Sequence, residues 1–311
     1  MDLGIVIVSY NTCQLTRNCL ASVFEALEHE SIDGQVWVID NASADGTPAM
    51  VREAFPQAHL MARAENLGFA RASNLGIQAC QRSPEAPAYT LLLNPDTLVR
   101  PQALSHMLSF MDAHPTVGAA GAQLAYEDGS FQHGAFRFPN LWMILFDFWT
   151  INHRLINSRL NGRYPLRLYA GQDPFPIDHP LGAALLMRNT TLDQVGLLDE
   201  GFFMYCEEID WCIRTRRAGW QIYCVPQARI VHLGGQSTSQ FRERMFVALW
   251  QSRFRLFSKH YSPAYRTAAR AILRMGLHRR ARAVRRRLAQ HQISAEAAAR
   301  ELEAYRTVGA L

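Results

Sequence analysis

Three polar clusters in the first third of the chain contain residue types that bind nucleotides and divalent cations. Each cluster directly follows a short apolar run that is typical of a buried strand. In an open parallel sheet, the carboxyl ends of neighbouring strands meet at one edge, where ligands bind. Each cluster taken singly is also typical of a turn or a helix N-cap, but three in succession predict one polar crevice. The clusters are Ser9-Tyr10-Asn11, Asp40-Asn41-Ala42-Ser43 and Asn94-Pro95-Asp96.

Asp96 is the candidate metal ligand among these residues. Its carboxylate and the amide of Asn94, two residues earlier, offer the hard oxygen atoms that Mg²⁺ and Mn²⁺ prefer. Such cations are commonly held by one or two carboxylates together with the phosphates of a substrate. The same short segment also suits a turn followed by a helix cap, so both interpretations stay open at this point.

Glu207, Glu208 and Asp210 form an acidic cluster between an aromatic run over 202–205 and Trp211. Acids beside aromatic side chains can have raised pKa values and act as bases. On a helix, Asp210 and the arginine four residues later are neighbours, whereas Glu208 faces another side. We therefore expect Glu208 to be a base and Asp210 to pair with that arginine. Acids also favour helix N-termini in general, although this preference leaves the aromatic flank unexplained.

His232 lies at the end of the predicted strand 229–233, just before a glycine-rich turn. A histidine in this position is either a metal ligand or a hydrogen-bonded polar group, and the sequence leaves both interpretations open. The glycine fingerprints of dinucleotide-binding and P-loop proteins are absent after the first strand. Dehydrogenase and P-loop functions are therefore disfavoured.

The elements predicted around these clusters alternate between strand and helix. Apolar runs followed by amphipathic stretches favour a mostly parallel sheet that helices cover on both faces. The middle of the chain, 126–180, is predicted to be irregular. The predicted strands cover residues 3–8, 36–39, 58–61, 89–93, 117–122, 181–187, 220–225 and 229–233. The predicted helices cover residues 14–28, 44–55, 70–81, 101–114 and 207–218, and the chain is helical from 241 onward.

The order of these motifs resembles that of the family 2 glycosyltransferases of the GT-A fold, especially the bacterial rhamnosyltransferase-like group. The resemblance implies an α/β fold of the GT-A type, which is a Rossmann-like, mostly parallel mixed sheet with helices on both faces, followed here by C-terminal helices. It covers about residues 3–235 through seven short pieces in the family's order. The pieces are residues 8–11, 38–47, 65–70 with Asn74 and Gly76, 92–96, 180–188, 202–210 and His232.

The resemblance also implies the residues of a nucleotide-sugar pocket. Asp40 corresponds to the acid that contacts the nucleotide base or ribose. The other residues that the resemblance assigns to donor binding are Ser9, Tyr10, Asn66, Gly68, Asn94 and Asp96.

Metal and catalytic roles follow from the same resemblance. Asn94-Pro-Asp96 corresponds to the D-x-D metal motif with Asn in place of its first acid, so Asp96 is the main carboxylate for Mg²⁺ or Mn²⁺. His232 corresponds to a histidine that completes the metal shell in some members. Glu208 corresponds to the catalytic base, and Glu207 and Asp210 belong to the same catalytic segment.

The function implied is an inverting, metal-dependent transfer of a sugar, with rhamnose as one candidate, from a dTDP- or UDP-sugar. The acceptor is a hydroxyl of a glycan or lipid-linked glycan in cell-surface polysaccharide synthesis. A sugar nucleotidyltransferase, which shares the fold type, is the first alternative. Such enzymes carry a Gly- and Arg-rich loop after the first strand, whereas this chain has Ser9-Tyr10-Asn11 there. A non-catalytic nucleotide-sugar or polysaccharide-binding protein is the second alternative, which Asp96, Glu208 and His232 together disfavour.

The C-terminal part is strongly basic. Residues 244–295 contain 13 of the 32 Lys and Arg residues and no acidic residue. A basic amphipathic helix over 266–287 suits an anionic membrane surface, and an Arg-rich helix packed on the protein is the alternative. No nucleic-acid-binding motif accompanies the charge, so no nucleic acid partner is expected. Tyr265, Ala269, Ile272 and Gly276 lie on one face of this helix.

The remaining sequence features concern domains and location. We expect a GT-A glycosyltransferase domain over 1–238 and a basic helical extension over 239–311. Neither a run of about 18 apolar residues nor a secretory signal pattern is present. The six cysteines contain no C-x-x-C pair, so neither zinc nor disulfides are expected. These features predict a cytoplasmic protein, peripheral at the inner face of the membrane if the extension binds lipid.

Overall fold

The computed structural model describes residues 2–149, 153–171, 173–234 and 242–311. The chain divides into two compact units. The first unit comprises Met1–Arg137, Tyr164–Phe203 and Glu207–Ser237. The second unit comprises Phe138–Arg163, Met204–Cys206 and Thr238–Leu311.

Strands and helices are numbered here in chain order. The strands are β1 Leu3–Ser9, β2 Gly34–Asp40, β3 His59–Ala62, β4 Tyr89–Leu93, β5 Thr97–Val99, β6 Val117–Ala125, β7 Phe131–Gln132, β8 Ala135–Phe136, β9 Phe175–Pro176, β10 His179–Pro180, β11 Ala184–Arg188 and β12 Gln221–His232. The helices are α1 Cys13–His29, α2 Thr47–Ala54, α3 Phe69–Arg82, α4 Ala103–Ala113, α5 Leu141–Phe146, α6 His153–Ile156, α7 Leu166–Ala170, α8 Asn189–Val195, α9 Glu207–Arg217, α10 Arg242–His260, α11 Pro263–Ala289 and α12 Ala295–Gly309.

The first unit is built on a mixed, mostly parallel sheet. Its strands lie in the order β3-β2-β1-β4-β11-β6-β12-β5. The strands from β3 to β4 are parallel to one another, and β6 is parallel to β12. β11 is inserted antiparallel between β4 and β6. The mixed sheet with helices that the sequence predicted is thus confirmed.

Helices cover both faces of this sheet, and β1 is therefore buried along its whole length. Alternate residues of β1, beginning with Leu3 and Ile5, pack in the main core together with Leu20 of α1. Val6 faces the opposite side, where a Cβ on Gly76 of α3 would stand 2.4 Å from its Cγ1. Gly76 therefore lets α3 lie closely on the sheet.

β12 is a single strand where the sequence predicted two. Its pairing with β6 shifts register between Val225 and Arg229, on either side of Pro226. Because proline has no N–H to donate, it interrupts the ladder and produces a bulge, but the strand continues beyond it. The prediction of two strands was wrong because an interruption of pairing was taken for the end of a strand.

The sequence did not predict β5, a strand of three residues that follows Asn94-Pro95-Asp96. β5 pairs antiparallel with the end of β12, so that Thr97 lies opposite His232. The segment 126–180, predicted to be irregular, contains several short elements, including the two-stranded pair of β8 and β10. These elements are too short for periodicity to reveal them.

The second unit is helical and has its own core. A Cβ on Gly276 of α11 would stand 2.2 Å from Cγ of Phe148, so only glycine allows this ring to lie on the helix. The cluster of buried residues in this unit contains Ile144, Phe148, Trp250, Phe254, Phe257, Ala269, Leu273, Leu277 and Val308.

The arginines of α11 fall into two groups. Arg279 donates to the carbonyl oxygen of Phe148, and Arg280 donates to that of Asp147. Nη2 of Arg287 donates to both carboxylate oxygens of Glu301 in α12. These side chains stabilise the second unit itself. The remaining basic residues of the helix that are exposed to solvent include Arg274, His278, Arg282, Arg285 and Arg286.

Within the described part of the chain, no helix combines the length and the apolar character needed to cross a membrane.

Candidate functional site

The carboxyl ends of β1 and β2 are joined by side-chain hydrogen bonds. Ser9, the last residue of β1, donates its hydroxyl to Oδ2 of Asp40 at 3.2 Å, and both residues are buried. The other carboxylate oxygen of Asp40 accepts from the backbone N–H of Ser43 at 3.0 Å. These bonds fix the Asp40 carboxylate at the strand ends, and each oxygen keeps lone-pair capacity for a ligand.

The turns that follow β1 and β2 hold one another in place. The side chain of Asn11 accepts from the N–H of Ala44 at 2.8 Å, and the N–H of Asn11 donates to Oγ of Ser43 at 2.9 Å. Asn11 and Ala42 both have positive φ angles, 51° and 67°. Such backbone conformations persist where the surroundings determine them, and they recur at ligand sites.

A third loop joins this edge through Asn41 and Asn66. Asn41 donates from Nδ2 to Oδ1 of Asn66 at 2.9 Å and accepts from the N–H of Leu67 at 2.8 Å. Gly68 follows with φ 79°, and a Cβ on it would stand 2.4 Å from the carbonyl oxygen of Phe203. Gly68 is therefore needed for the close approach of two backbone segments.

Asp96 and His232 form a buried pair at the edge of the same sheet. Nε2 of His232 lies 3.5 Å from Oδ1 of Asp96, and Nδ1 of His232 lies 3.1 Å from Oε1 of Gln132. A tautomer that carries its proton on Nδ1 and donates it to Gln132 leaves the lone pair of Nε2 facing the Asp96 carboxylate. A protonated imidazole would form an ion pair with Asp96 at this distance, and in the neutral tautomer a cation between the two acceptors would bind both.

The pKa values of the pair shift in the directions expected for buried groups. Burial raises the pKa of Asp96, and the positive charge of His232 opposes that rise. Burial lowers the pKa of His232, and the charge of Asp96 opposes that fall. A neutral imidazole and a carboxylate are competent ligands for a divalent cation.

No group of three or more His, Cys, Asp or Glu side chains suited to a metal occurs among the described residues. Two protein ligands beside each other nevertheless fit a cation whose remaining ligands are substrate phosphates and water, which is the usual arrangement for Mg²⁺. Asp96 and His232 are the residues of the sequence-predicted set that can hold such an ion.

Glu207 and Glu208 open α9. Glu207 is buried, and its Oε2 has no hydrogen-bond partner. Burial, followed by the charge of Glu208, raises the pKa of Glu207 well above its ordinary value. Burial and the neighbouring charge therefore favour the neutral form of Glu207.

Gly182 and Ala183 connect Glu208 to the loop that carries Asp96. The carboxyl carbon of Glu208 lies 3.6 Å from the position that a Cβ on Gly182 would occupy. The carbonyl oxygen of Ala183 accepts from the N–H of Asn94 at 2.9 Å. The candidate base and the candidate metal loop thus contact the same two-residue segment at the start of β11.

Asp210 forms the ion pair that its spacing from Arg214 predicted. Nε of Arg214 donates to Oδ2 of the buried Asp210 at 2.9 Å. The same guanidinium donates to the carbonyl oxygens of Val195 and Leu197, each at 2.7 Å. This geometry gives Asp210 a part in holding the segment before α9.

The backbone immediately before the acids is in an unusual conformation. Tyr205 and Cys206 have φ angles of 70° and 68°, in the left-handed region that bulky residues rarely adopt. Two successive residues of this kind cost of order 1–3 kcal/mol each, and such backbone is typical of functional sites. Glu207 thus begins its helix directly after a strained turn.

The structure brings most of the sequence-predicted residues to one edge of the sheet, at the carboxyl ends of β1, β2 and β4 and the end of β12. Tyr10 lies there half-buried, one residue beyond Ser9. Sequence reasoning missed Gln132, which orients His232, because a two-residue strand in an aromatic-rich segment gives no signal. Gly182, which lies in the family-like piece 180–188, was also given no role by sequence reasoning.

Comparison with known proteins gives a consistent family. The family model described as Glycosyl transferase family 2 matches residues 4–182. The chain is 29% identical over 286 residues to an N-acetylglucosaminyl-diphospho-decaprenol L-rhamnosyltransferase of Mycobacterium tuberculosis, covering 88% of this chain and 90% of that protein. It is 22% identical over 235 residues to the dTDP-rhamnosyl transferase RfbF of Shigella flexneri, covering 75% and 69% of the two chains.

The fold has a solved counterpart. A mannosyltransferase from Pyrobaculum calidifontis, crystallised with GDP-Man and Mn²⁺, aligns with a TM-score of 0.57 at 16% identity. The alignment covers 99% of this chain and 83% of the other. At this identity the likeness shows a shared fold, that of the GT-A type.

Proposed function

The chain belongs to glycosyl transferase family 2, and we propose that it is an inverting, metal-dependent enzyme of that family. In this proposal it transfers a sugar, with rhamnose the leading candidate, from a nucleoside diphosphate donor. The acceptor is a hydroxyl of a glycan or lipid-linked glycan in cell-surface polysaccharide synthesis. Family membership accounts for the glycosyltransferase activity, and the geometry of the site supports the finer assignments.

One observation carries this proposal. Glu208 lies against Gly182, and the loop of Asp96 is bonded to the neighbouring Ala183. A candidate base and a candidate cation-binding carboxylate connected through one short segment suit a reaction in which one group receives a proton while another helps to hold a leaving diphosphate. Burial favours the uncharged form of Glu207, the acid next to the proposed base.

In the proposed donor complex, Asp40 accepts hydrogen bonds from the nucleoside. Ser9 and Ser43 already hold its two carboxylate oxygens in place. Donor binding therefore costs little conformational entropy at this side chain. Asn66 supports the same edge through its bond to Asn41.

Asp96 and His232 would hold a divalent cation, with Gln132 orienting the imidazole. When bound, such a cation supplies positive charge that offsets the charge on a departing diphosphate. Asn94 stands in place of the first acid of the D-x-D motif, so the protein would place less negative charge against the phosphates.

Glu208 is the proposed general base. It takes the proton of the acceptor hydroxyl while that oxygen attacks the anomeric carbon from the face opposite the diphosphate. The new carbon–oxygen bond forms as the bond to the phosphate oxygen breaks, and the diphosphate leaves with the electron pair. A single displacement of this kind inverts the anomeric configuration.

The substrate assignment draws on the relatives. The mycobacterial relative is named for an acceptor with a decaprenol lipid, and the Shigella relative is named for a dTDP-rhamnosyl donor. We propose a dTDP- or UDP-sugar donor and a lipid-linked acceptor for this chain. The basic face of α11 would then serve at the anionic inner face of the cytoplasmic membrane.

A panel of nucleotide sugars tests the proposal. Release of nucleoside diphosphate would be measured for each donor with Mg²⁺, with Mn²⁺ and with a chelator. Transfer to an N-acetylglucosaminyl diphospholipid would then be followed with the best donor, and the anomeric configuration of the product read by NMR. We expect metal-dependent release and an inverted product. Tight donor binding without release or transfer would favour a non-catalytic binding protein instead.

A further inference from the structure

Asn74 is a buried side chain to which the reaction described above assigns no role. It lies on α3, one helical turn and a half beyond Gly68, and is 2% exposed. We propose that Asn74 is a positioning residue, which holds the segment from Leu198 to Phe203 against α3 and thereby sets the place of Glu208. This inference rests on the proposed function of Glu208 as the base.

The amide of Asn74 makes a two-way clamp. Nδ2 donates to the carbonyl oxygen of Leu198 at 2.9 Å, and Oδ1 accepts from the N–H of Leu198 at 3.1 Å. Nδ2 also donates to Oε1 of Glu200 at 3.1 Å. An amide side chain offers both a donor and an acceptor, so Asn74 bonds the N–H and the carbonyl oxygen of Leu198 as a neighbouring strand would.

A second attachment lies at the other end of the same segment. The N–H of Phe69, the first residue of α3, donates to the carbonyl oxygen of Phe203 at 2.7 Å. Gly68 permits this approach because a Cβ there would collide with the same carbonyl group. The segment is therefore fixed to α3 near both of its ends.

The residues directly before the segment are fixed to α9, the helix that carries Glu208. Nε1 of Trp211 donates to the carbonyl oxygen of Gly196 at 2.9 Å, and Arg214 donates to those of Val195 and Leu197. Because residues 195–197 lead directly into the segment, a shift of the segment away from α3 would be transmitted to α9. α3 itself begins at the loop that Asn41 holds, on the donor side.

These contacts give Asn74 a specific kinetic signature. The donor pocket at Asp40 and Asn66 does not depend on the bonds that Asn74 makes, so donor affinity should persist without them. Without these bonds, Glu208 should shift away from its position beside the acceptor hydroxyl. Misplacement of a catalytic group by about 1 Å can cost about 10²-fold in rate.

The experiment compares Asn74→Ala and the nearly isosteric Asn74→Asp with Asn189→Ala as a matched control. Asn189 also joins a helix to neighbouring chain through two side-chain bonds, to Thr90 and to the carbonyl oxygen of Pro87, but at the opposite end of β4. For each folded variant, kcat, the dissociation constant of the nucleoside diphosphate and amide hydrogen exchange over 196–211 would be measured.

We expect Asn74→Ala to lower kcat by about 10²-fold with nucleotide affinity within about twofold, and to speed exchange over 196–211. Asn74→Asp keeps the acceptor but places a carboxylate against the carbonyl oxygen of Leu198 and the carboxylate of Glu200, so it should show the same changes. Asn189→Ala should change neither kcat nor exchange in that segment. Unchanged exchange in both Asn74 variants would overturn the proposal, as would parallel losses of kcat and nucleotide affinity.

The hydrogen-exchange measurement does not depend on activity. If the parent protein transfers no sugar, the function proposed above fails, whereas the clamp still stands or falls on the exchange of residues 196–211. If Asn74→Ala does not fold, Asn74→Asp carries the comparison, because it retains the size of the side chain.

Discussion

Nε2 of His232 and Oδ1 of Asp96 lie 3.5 Å apart although 135 residues separate them along the chain. The antiparallel pairing of β5 with the end of β12 brings them together, and Gln132 sets the orientation of the imidazole. A carboxylate and an imidazole that face each other in a buried place suit a shared cation, and the first prediction concerns that cation.

Asp96→Ala should abolish metal-dependent sugar transfer and weaken binding of the nucleoside diphosphate. The loss should amount to several kcal/mol, because the phosphates would lose their counter-charge. Isothermal titration with nucleoside diphosphate and with the uncharged nucleoside separates the effects, since the nucleoside should bind the variant as well as the parent. Full activity of the variant, or of the parent in a chelator, contradicts the metal assignment.

Glu208→Gln should lower kcat by about 10²–10⁴-fold and leave donor affinity nearly unchanged, because an amide cannot accept the acceptor's proton. Glu207→Gln is the matched control. Since Glu207 is favoured as a neutral acid, the amide resembles its state, and we expect a much smaller effect. An active Glu208→Gln beside an inactive Glu207→Gln would move the base by one residue. Normal turnover in both would remove this pair from the mechanism.

Asp40→Ala should weaken binding of the nucleoside diphosphate by about 1–3 kcal/mol, the cost of losing hydrogen bonds to a charged group. Ser9→Ala should weaken it less, because Ser9 acts only by orienting Asp40. Calorimetry measures both. Asp112→Asn, which alters the partner of Tyr89 at the other end of the sheet, serves as the control. Unchanged affinity in Asp40→Ala would exclude a contact with the nucleotide.

His179 should make the stability of the first unit depend on pH. Burial lowers its pKa to about 4, whereas an unfolded chain has a histidine pKa of about 6.5. Between these values the unfolded state binds the proton and the folded state does not, so stability should be complete above about pH 6.5 and decline as the pH falls toward 4. The free energy of unfolding, measured with denaturant at each pH in this range, should depend less steeply on pH in His179→Leu. Its pH dependence should be unchanged in the exposed control His29→Gln.

The exposed basic residues of α11 predict binding to anionic lipid. Replacement of three of them, by Arg274→Gln, Arg282→Gln and Arg285→Gln, should weaken binding to phosphatidylglycerol vesicles by about 10²-fold, at about 1 kcal/mol for each charge. Binding should also fall steeply with salt. The control variant carries Arg52→Gln and Arg82→Gln in the first unit. Equal binding of the parent to neutral and anionic vesicles, or none, would favour a helix that serves only to pack.

Much of the first unit could be predicted because its signals are local. An apolar run such as the one ending at Ser9 identifies a strand, and the position of Asp40 after the next run then follows from the geometry of parallel sheets. The i,i+4 spacing likewise predicted the pair of Asp210 and Arg214. For these residues, the pattern within a few positions determines the structure.

The parts that could not be predicted depend on long-range pairing. β5 has only three residues, and its existence follows from an edge of β12 that lies more than 130 residues away in sequence. Gln132 reaches His232 from a two-residue strand, and Gly182 meets Glu208 across 26 positions. No periodicity encodes such contacts, because they are decided by which surfaces remain to be covered once the sheet has formed.

The pairing of β5 with β12 has a consequence for the order in which the protein becomes active. The strands that carry Ser9 and Asp40 pair with near neighbours in sequence, whereas His232 meets Asp96 only after a very long loop has closed, which is the slower kind of event in folding. We expect a chain emerging from the ribosome to acquire its nucleoside-binding edge early and its diphosphate-binding pair last. Catalytic competence would then report that the whole first unit had been completed.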